Sequence, residues 1–460
     1  MNEQLRALNR FGLGARFGEV DELRAPRLWL HDQVDAGRAD AAALERLPLL
    51  DEIGAAVVAL RTAQRDREQD AIAEARRRLR DILTMESLAV LTQRIHTRTP
   101  FVERLVAFWS NHLCASAAAG LQVAGFMGHY ERTAIRPHVL GRFDEMVLAS
   151  AKHPAMLMFL NNFQSIGPGS MAGRRSARAG NARGLNENYA RELLELHTLG
   201  VDGGYGQEDV EALARILTGW TISGVGPGSG EGSPGGFVFR PALHEPGEKV
   251  VLGRTYGSGG RTPMRPASGV QEGEDAIRDL CRHPATARFI ATKLVRHFVS
   301  DDPPDGAVVR VAEVFRATRG NLGEVAHAIV ELEEAWRTPH GKFRTPQEWL
   351  VAVLRAFRAD EVEERAPVVL GRLRHALWAP PSPEGFEDTQ GPWSDPDALM
   401  NRAELARSVA RVLPVRDPRL VLEVVNIEAD DPLHALLDDT SISARDRLAL
   451  AIGGPAFQWR

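Results

Sequence analysis

The sequence predicts a mainly α-helical fold: a multi-helical chain with long Gly/Arg-rich loops and a minor β-hairpin in the middle. Three observations carry that expectation. Apolar residues recur at helical spacing through most of the 460 residues, as in "FVERLVAFWSNHLC" (101–114) and "RFDEMVLASAKHPAMLMFLNN" (142–162). Glycine gathers in the tracts 165–184 and 223–236, where no helix or strand pattern survives. Only "FVFRPALHEPGEKVVLG" (237–253) alternates in the manner of a hairpin.

Each region follows from its local pattern. Residues 1–100 read as a helical arm, within which Arg65 to Arg80 is charged nearly all round and suits a solvated helix laced by pairs four residues apart. Residues 101–222 form the expected helical core. The stretch 165–184, with Arg174, Arg175, Arg178 and Arg183, reads as a mobile surface loop inside it. Residues 223–273 are assigned to Gly-rich loops with the hairpin, which bears His244, and residues 274–460 to a C-terminal helical region.

Composition excludes several classes. Hydrophobic residues at 44% and charged residues at 25% are ordinary for a globular chain. The formal charge of −5 offers no global basic field for nucleic acid. No stretch approaches the ~20 apolar residues of a transmembrane helix, and the first residues carry no export signal, so a cytoplasmic location is the default. Cys114 and Cys281 sit in separate apolar patterns and are expected as buried free thiols. There is no Walker loop, GxSxG elbow, HExxH or CxxC.

Chemistry concentrates in "GLNENYARELLELHTLG", Gly184 to Gly200. On a wheel of about 100° per residue, Leu185, Leu196, Tyr189 and Leu193 share an apolar arc, while Glu192 falls between Leu199 and Leu185. Asn188, Glu192 and Glu195 form one polar strip merging into that face, Glu187, Arg191 and Glu195 read as surface pairing, and His197 points to the far side. A buried carboxylate needs a partner or a raised pKa. Three readings compete: an ion pair with Arg132, Arg136 or Arg215; a divalent metal (Zn, Mn or Fe) held by Glu192 with His112 and His244; or a metal-free acid/base carboxylate. The arginine loop next to the helix start would suit an anionic substrate, with Trp220 and Lys249 as further contacts.

Taken in order, "LNRFGLGAR", "RLVAFWSNHLCAS", "GLNENYARELLELHTLG", "YGQEDVEALARILTGW", "FVFRPALHEPGEKVVLG" and "HPATARFIATKLVRHFV" resemble the bacterial family called domain of unknown function 1800. The resemblance implies a mainly helical protein without an agreed activity, frequently encoded beside a sulfatase-like family that would be its partner, and exported in many relatives. Its motifs fall here on Trp109, His112, Asn186, Glu187, Asn188, Arg191, Glu192, Glu195, Gly219, Trp220 and His244. His197 stands where an aromatic residue is usual. The expected function is therefore a metal-dependent enzyme acting on an anionic substrate, or alternatively a non-catalytic helical scaffold for the neighbouring gene product.

Overall fold

Proline starts the three helices that later enclose the candidate site. Pro100, Pro284 and Pro346 open helices Pro100–His112, Pro284–Phe298 and Pro346–Ala356. At that position the missing N–H costs nothing and the fixed φ preforms the first turn. His283 adds a cap by accepting from the Ala285 N–H at 3.2 Å, and Thr345 with Glu348 closes a reciprocal capping box.

The computed structural model describes residues 2–37, 41–179, 184–227, 232–257, 266–337, 341–358, 365–414 and 417–460. It is mainly α-helical. Helices Leu50–Asp66 and Gln69–His96 form a long antiparallel hairpin, reversed at Arg67 with φ of 60°. Gln69–His96 packs on Pro346–Ala356, and Pro26–Asp35 packs on Leu322–Val330. One apolar core therefore runs from Leu8 and Phe11 through Trp109 and Leu213 to Phe298, Trp349 and Phe457. Phe11 stacks on both Phe298 and Trp336, at 5.9 and 4.9 Å between ring centroids.

Several buried charges are neutralised in pairs around this core. Arg136 grips Glu103 through two bonds of 2.6 and 2.7 Å. Glu131 receives Arg94 at 3.1 Å and the Trp378 indole N–H at 2.7 Å, while Arg132 lies 3.1 Å from Glu86. Such pairs are costly to break because the surviving partner stays buried and uncompensated.

The minor β-structure differs in pairing from the sequence expectation. Phe237–Phe239 pairs antiparallel with Trp220–Ile222, so the 223–236 tract is the loop of that hairpin. Lys249–Val251 pairs with Arg254–Tyr256 instead. Pro241, in a short 3-10 turn, ends the first ladder. The second is closed by Leu252 and Gly253, both at positive φ (49° and 75°), as a two-residue turn matching strand twist requires.

Two further differences concern helices. Met171–Arg178 is helical rather than loop, because Ser170 caps it by accepting from the Gly173 N–H at 3.0 Å. Gly173 is required there: a Cβ would lie 2.2 Å from the Gly167 carbonyl oxygen. In addition, Ala7–Phe11, Glu131–Ile135 and Leu193–Thr198 are π-helical turns, each widening the helix locally. Among the described residues no helix is long and apolar enough to cross a membrane.

Candidate functional site

The helix containing Glu192 begins at Asn188 and changes pitch after Glu192. Asn188–Glu192 is α-helical and Leu193–Thr198 is the π turn. The wider turn brings His197 inward, to 1% exposure, and leaves Leu196 half-buried. A wheel of constant α pitch places those two residues the other way round, so the far-side position it gives His197 is corrected here.

Glu192 is half-buried, without an ion pair or hydrogen bond among the described residues. Burial raises its carboxyl pKa, Glu195 raises it further, and Arg191 opposes both. The three arginines that could neutralise it are engaged elsewhere: Arg132 with Glu86, Arg136 with Glu103 and Arg215 with Glu211. Around it, Arg191 pairs with Glu187 at 3.3 Å and bonds Gln207 at 2.9 Å. Glu195 accepts from the Tyr205 hydroxyl at 3.3 Å, and Asn188 is exposed, its N–H held by Asn186 at 2.9 Å.

His112 and His244 occupy separate clusters. His112 donates from Nε2 to the His197 carbonyl at 3.2 Å, so its buried Nδ1 is an acceptor without a partner. Burial, then Lys293 and His197, hold it neutral, well below the usual imidazole range. His244 donates from Nδ1 to the Thr218 carbonyl at 2.8 Å and faces Glu272 through Nε2 at 3.2 Å. Lys249 closes that cluster, 2.8 Å from Glu272. Among the described residues no three His, Cys, Asp or Glu side chains gather to hold a metal ion, so Glu192, His112 and His244 are not assembled as one ligand set.

The expected substrate contacts are likewise dispersed. Arg174, Arg175 and Arg178 lie exposed on the Met171–Arg178 helix, and Arg183 falls outside the described residues. Trp220 is fully buried in the first small sheet, with the Phe237 ring 5.3 Å away and the Lys152 ammonium 5.8 Å from its own ring.

A cavity of about 160 Å³ lies between helices Pro100–His112, Pro284–Phe298 and Pro346–Ala356, beneath the segment 380–389. It is far larger than the ~15 Å³ that holds one water. Helix Pro284–Phe298 presents Lys293, Arg296 and His297 to it, a spacing of i, i+3, i+4 that puts all three on one face. The roof is pinned at several points. Asn111 donates to the Phe386 carbonyl at 2.9 Å and accepts from its N–H at 2.8 Å, and Ser116 donates to the Pro380 carbonyl at 2.7 Å.

The cavity's charges are set by burial. His297 donates from Nδ1 to Asp388 at 2.8 Å, and its buried Nε2 has no partner. Burial lowers the imidazole pKa against the pull of Asp388, leaving a neutral ring with its lone pair on Nε2. Burial alone would raise Asp388, but His297 and Lys342 hold its carboxyl well below the usual carboxylate range. Lys293 has no ion pair or hydrogen bond among the described residues; burial lowers its pKa, while Glu384, Cys114 and Asp388 oppose the shift. Arg296 also has no ion pair there, and its Nε is buried without a partner. Cys114 is pushed up to about 12, chiefly by burial, and remains a thiol. An imidazole oriented by a carboxylate, next to an amine, is equipped for proton transfer.

The family described as "Protein of unknown function (DUF1800)" matches residues 6–459. The chain belongs to this family. Among curated proteins and solved structures, none matches. The DUF1800 match includes both the Glu192 helix and the cavity helix Pro284–Phe298. Lys293, Arg296 and His297 within the latter, and Asp388, the partner of His297, are not among the residues that the sequence pattern singles out. The signal present is "KLVRH", three polar groups on one face of an otherwise apolar helix. Nothing local could point to Asp388, which lies 91 residues further on.

Proposed function

We propose that this DUF1800 protein is an enzyme performing acid–base chemistry on a small anionic substrate in the cavity beneath residues 380–389. The observation that carries this reading is the face of Lys293, Arg296 and His297, where a lysine and an arginine without ion pairs line the cavity beside an imidazole fixed by Asp388. The buried Arg344, Arg355 and Arg402 spend N–H groups on carbonyl and amide oxygens, whereas the half-buried Lys293 and Arg296 have neither an ion pair nor a hydrogen bond among the described residues, and a cavity bearing two such cations suits an anion. Arg296 supplies a permanent charge, since a guanidinium keeps its proton. His297 acts as the base through Nε2, and Asp388 holds its tautomer.

Glu192 fits a supporting place at most: it does not line the cavity, and its carboxylate is one of the charges that raise the Cys114 thiol, which does. A metal-dependent site at Glu192, His112 and His244 has no comparable support, because the three are not gathered.

The test is thermal-shift screening with small carboxylates, phosphates and sulfates on the wild type and on Arg296→Gln. Compounds that stabilise the wild type and lose at least about tenfold in affinity with Arg296→Gln support the reading. No stabilisation by any of them, or stabilisation indifferent to Arg296, overturns it. A chain that binds none but co-purifies with a sulfatase-like protein encoded beside it would favour a scaffold instead.

A further inference from the structure

The whole chain contains four lysines among its 56 Lys and Arg residues: Lys152, Lys249, Lys293 and Lys342. Three of them serve as ordinary structural cations. Lys152 pairs with Glu274, Lys249 sits 2.8 Å from Glu272, and Lys342 sits 2.6 Å from Asp301 and 3.5 Å from Asp388. Lys293 alone has neither an ion pair nor a hydrogen bond among the described residues, and it lines the cavity. Elsewhere this protein uses arginine for nearly every positive charge. An arginine cannot lose its proton, whereas a lysine can.

We infer that Lys293 is the amine nucleophile of the cavity, forming a Schiff base with a carbonyl substrate that also carries an anionic group, of which a 2-oxo acid is the simplest class. This inference rests on the cavity being the working site. The neutral amine attacks the carbonyl carbon and its N–H proton passes to the carbonyl oxygen, giving a carbinolamine. Loss of water then yields the imine, so one C=N bond forms as the C=O bond is lost, with no change of oxidation state. His297 is placed one helical turn along, at i+4, to accept and return protons, and Arg296 at i+3 holds the substrate's anionic group. Burial, the first cause of the lowered ammonium pKa, agrees with this role.

Glyoxylate with sodium cyanoborohydride is the probe, because reduction converts an imine into a permanent carboxymethyl group that peptide mapping locates. The α-amino group serves as the internal control for reagent activity, and four lysines make the map short. Labelling of Lys293 at least about tenfold faster than of Lys152, Lys249 or Lys342 is the expected result. Equal or slower labelling of Lys293 overturns the inference, and Lys293→Arg, which keeps the charge, should abolish the fast adduct. Thermal shift by glyoxylate on the same samples separates the two levels. Stabilisation that depends on Arg296 without a Lys293 adduct sinks the Schiff base and leaves the anion site standing, whereas neither stabilisation nor adduct sinks both.

Discussion

Two clusters each hold a histidine, a lysine and a carboxylate: around His244 all three are buried, whereas around His297 the lysine and the carboxylate are half-buried. Around His244, Lys249 and Glu272 neutralise one another and both imidazole nitrogens face a partner. Around His297, the dyad with Asp388 is satisfied on one side only, and Lys293 is left facing the cavity. The first arrangement completes itself and reads as structure. The second leaves an imidazole nitrogen without a partner beside a cavity lined by Lys293, and that asymmetry, rather than the presence of histidine, separates the proposed site from a core feature.

The largest expected effect breaks the self-contained cluster. Glu272→Ala strands Lys249 in the interior and should cost about 3–5 kcal/mol in urea unfolding, while leaving the relative labelling of Lys293 unchanged. If stability barely moves, the His244 cluster is not a closed structural unit.

Acid should act on both clusters' surroundings next. Burial is the first cause of lowered pKa values at His112, His129, His153, His197, His297 and His375, with His129 at about 4 and His197 and His375 at about 3. Each ring stays neutral in the fold while its unfolded counterpart takes up a proton near pH ~6.5. Stability should therefore be full above that pH and fall as the pH drops toward the folded values, with uptake of more than one proton on unfolding. A pH-independent denaturation midpoint between pH 7 and 4.5 would contradict the neutral burial of these rings.

The two lysines should then respond with opposite sign. Lys249→Met removes a partner from Glu272 and should destabilise, whereas Lys293→Met removes a half-buried charge that has no ion pair among the described residues and only the Phe289 ring 5.5 Å away, and should stabilise by about 1 kcal/mol. The lowered pKa of Lys293 also means that the folded chain resists its proton. Between that lowered value and the unfolded value of ~10.4, wild-type stability should gain a rising contribution with pH that Lys293→Met lacks. The smallest effect belongs to Glu192→Gln, which relieves a half-buried carboxylate near Glu195 and should raise stability by no more than about 0.5–1 kcal/mol near neutral pH.

The helical class was legible because it depends on local period. Leu105, Phe108, Trp109 and His112 do face inward, and Pro100, Pro284 and Pro346 mark helix starts as their chemistry dictates. What failed to show was pairing at a distance. Phe237–Phe239 could have paired forward or backward, and only the tertiary fold chooses Trp220–Ile222. Glu192 stood out because a carboxylate among leucines breaks a local rule. His297 did not, since a histidine beside Phe298 breaks none until Asp388 arrives from the roof. Even the Glu192 wheel was limited by pitch, because a π turn cannot be told from an α turn by hydrophobic spacing six residues long.

That π turn also bears on how the chain can change length. A π turn is the mark left when one residue is inserted into an α-helix without disturbing the helix on either side. Shortening 193–198 by the half-buried Leu196 should therefore be tolerated as a fold, with the segment reverting to α pitch. Because the π turn takes up the extra residue, the helix before and after the deletion should keep its phase, leaving Gly200 against Phe289. One codon can thus be gained or lost at this turn while both ends of the helix keep their faces, so chain length here is uncoupled from the direction in which Glu192 points.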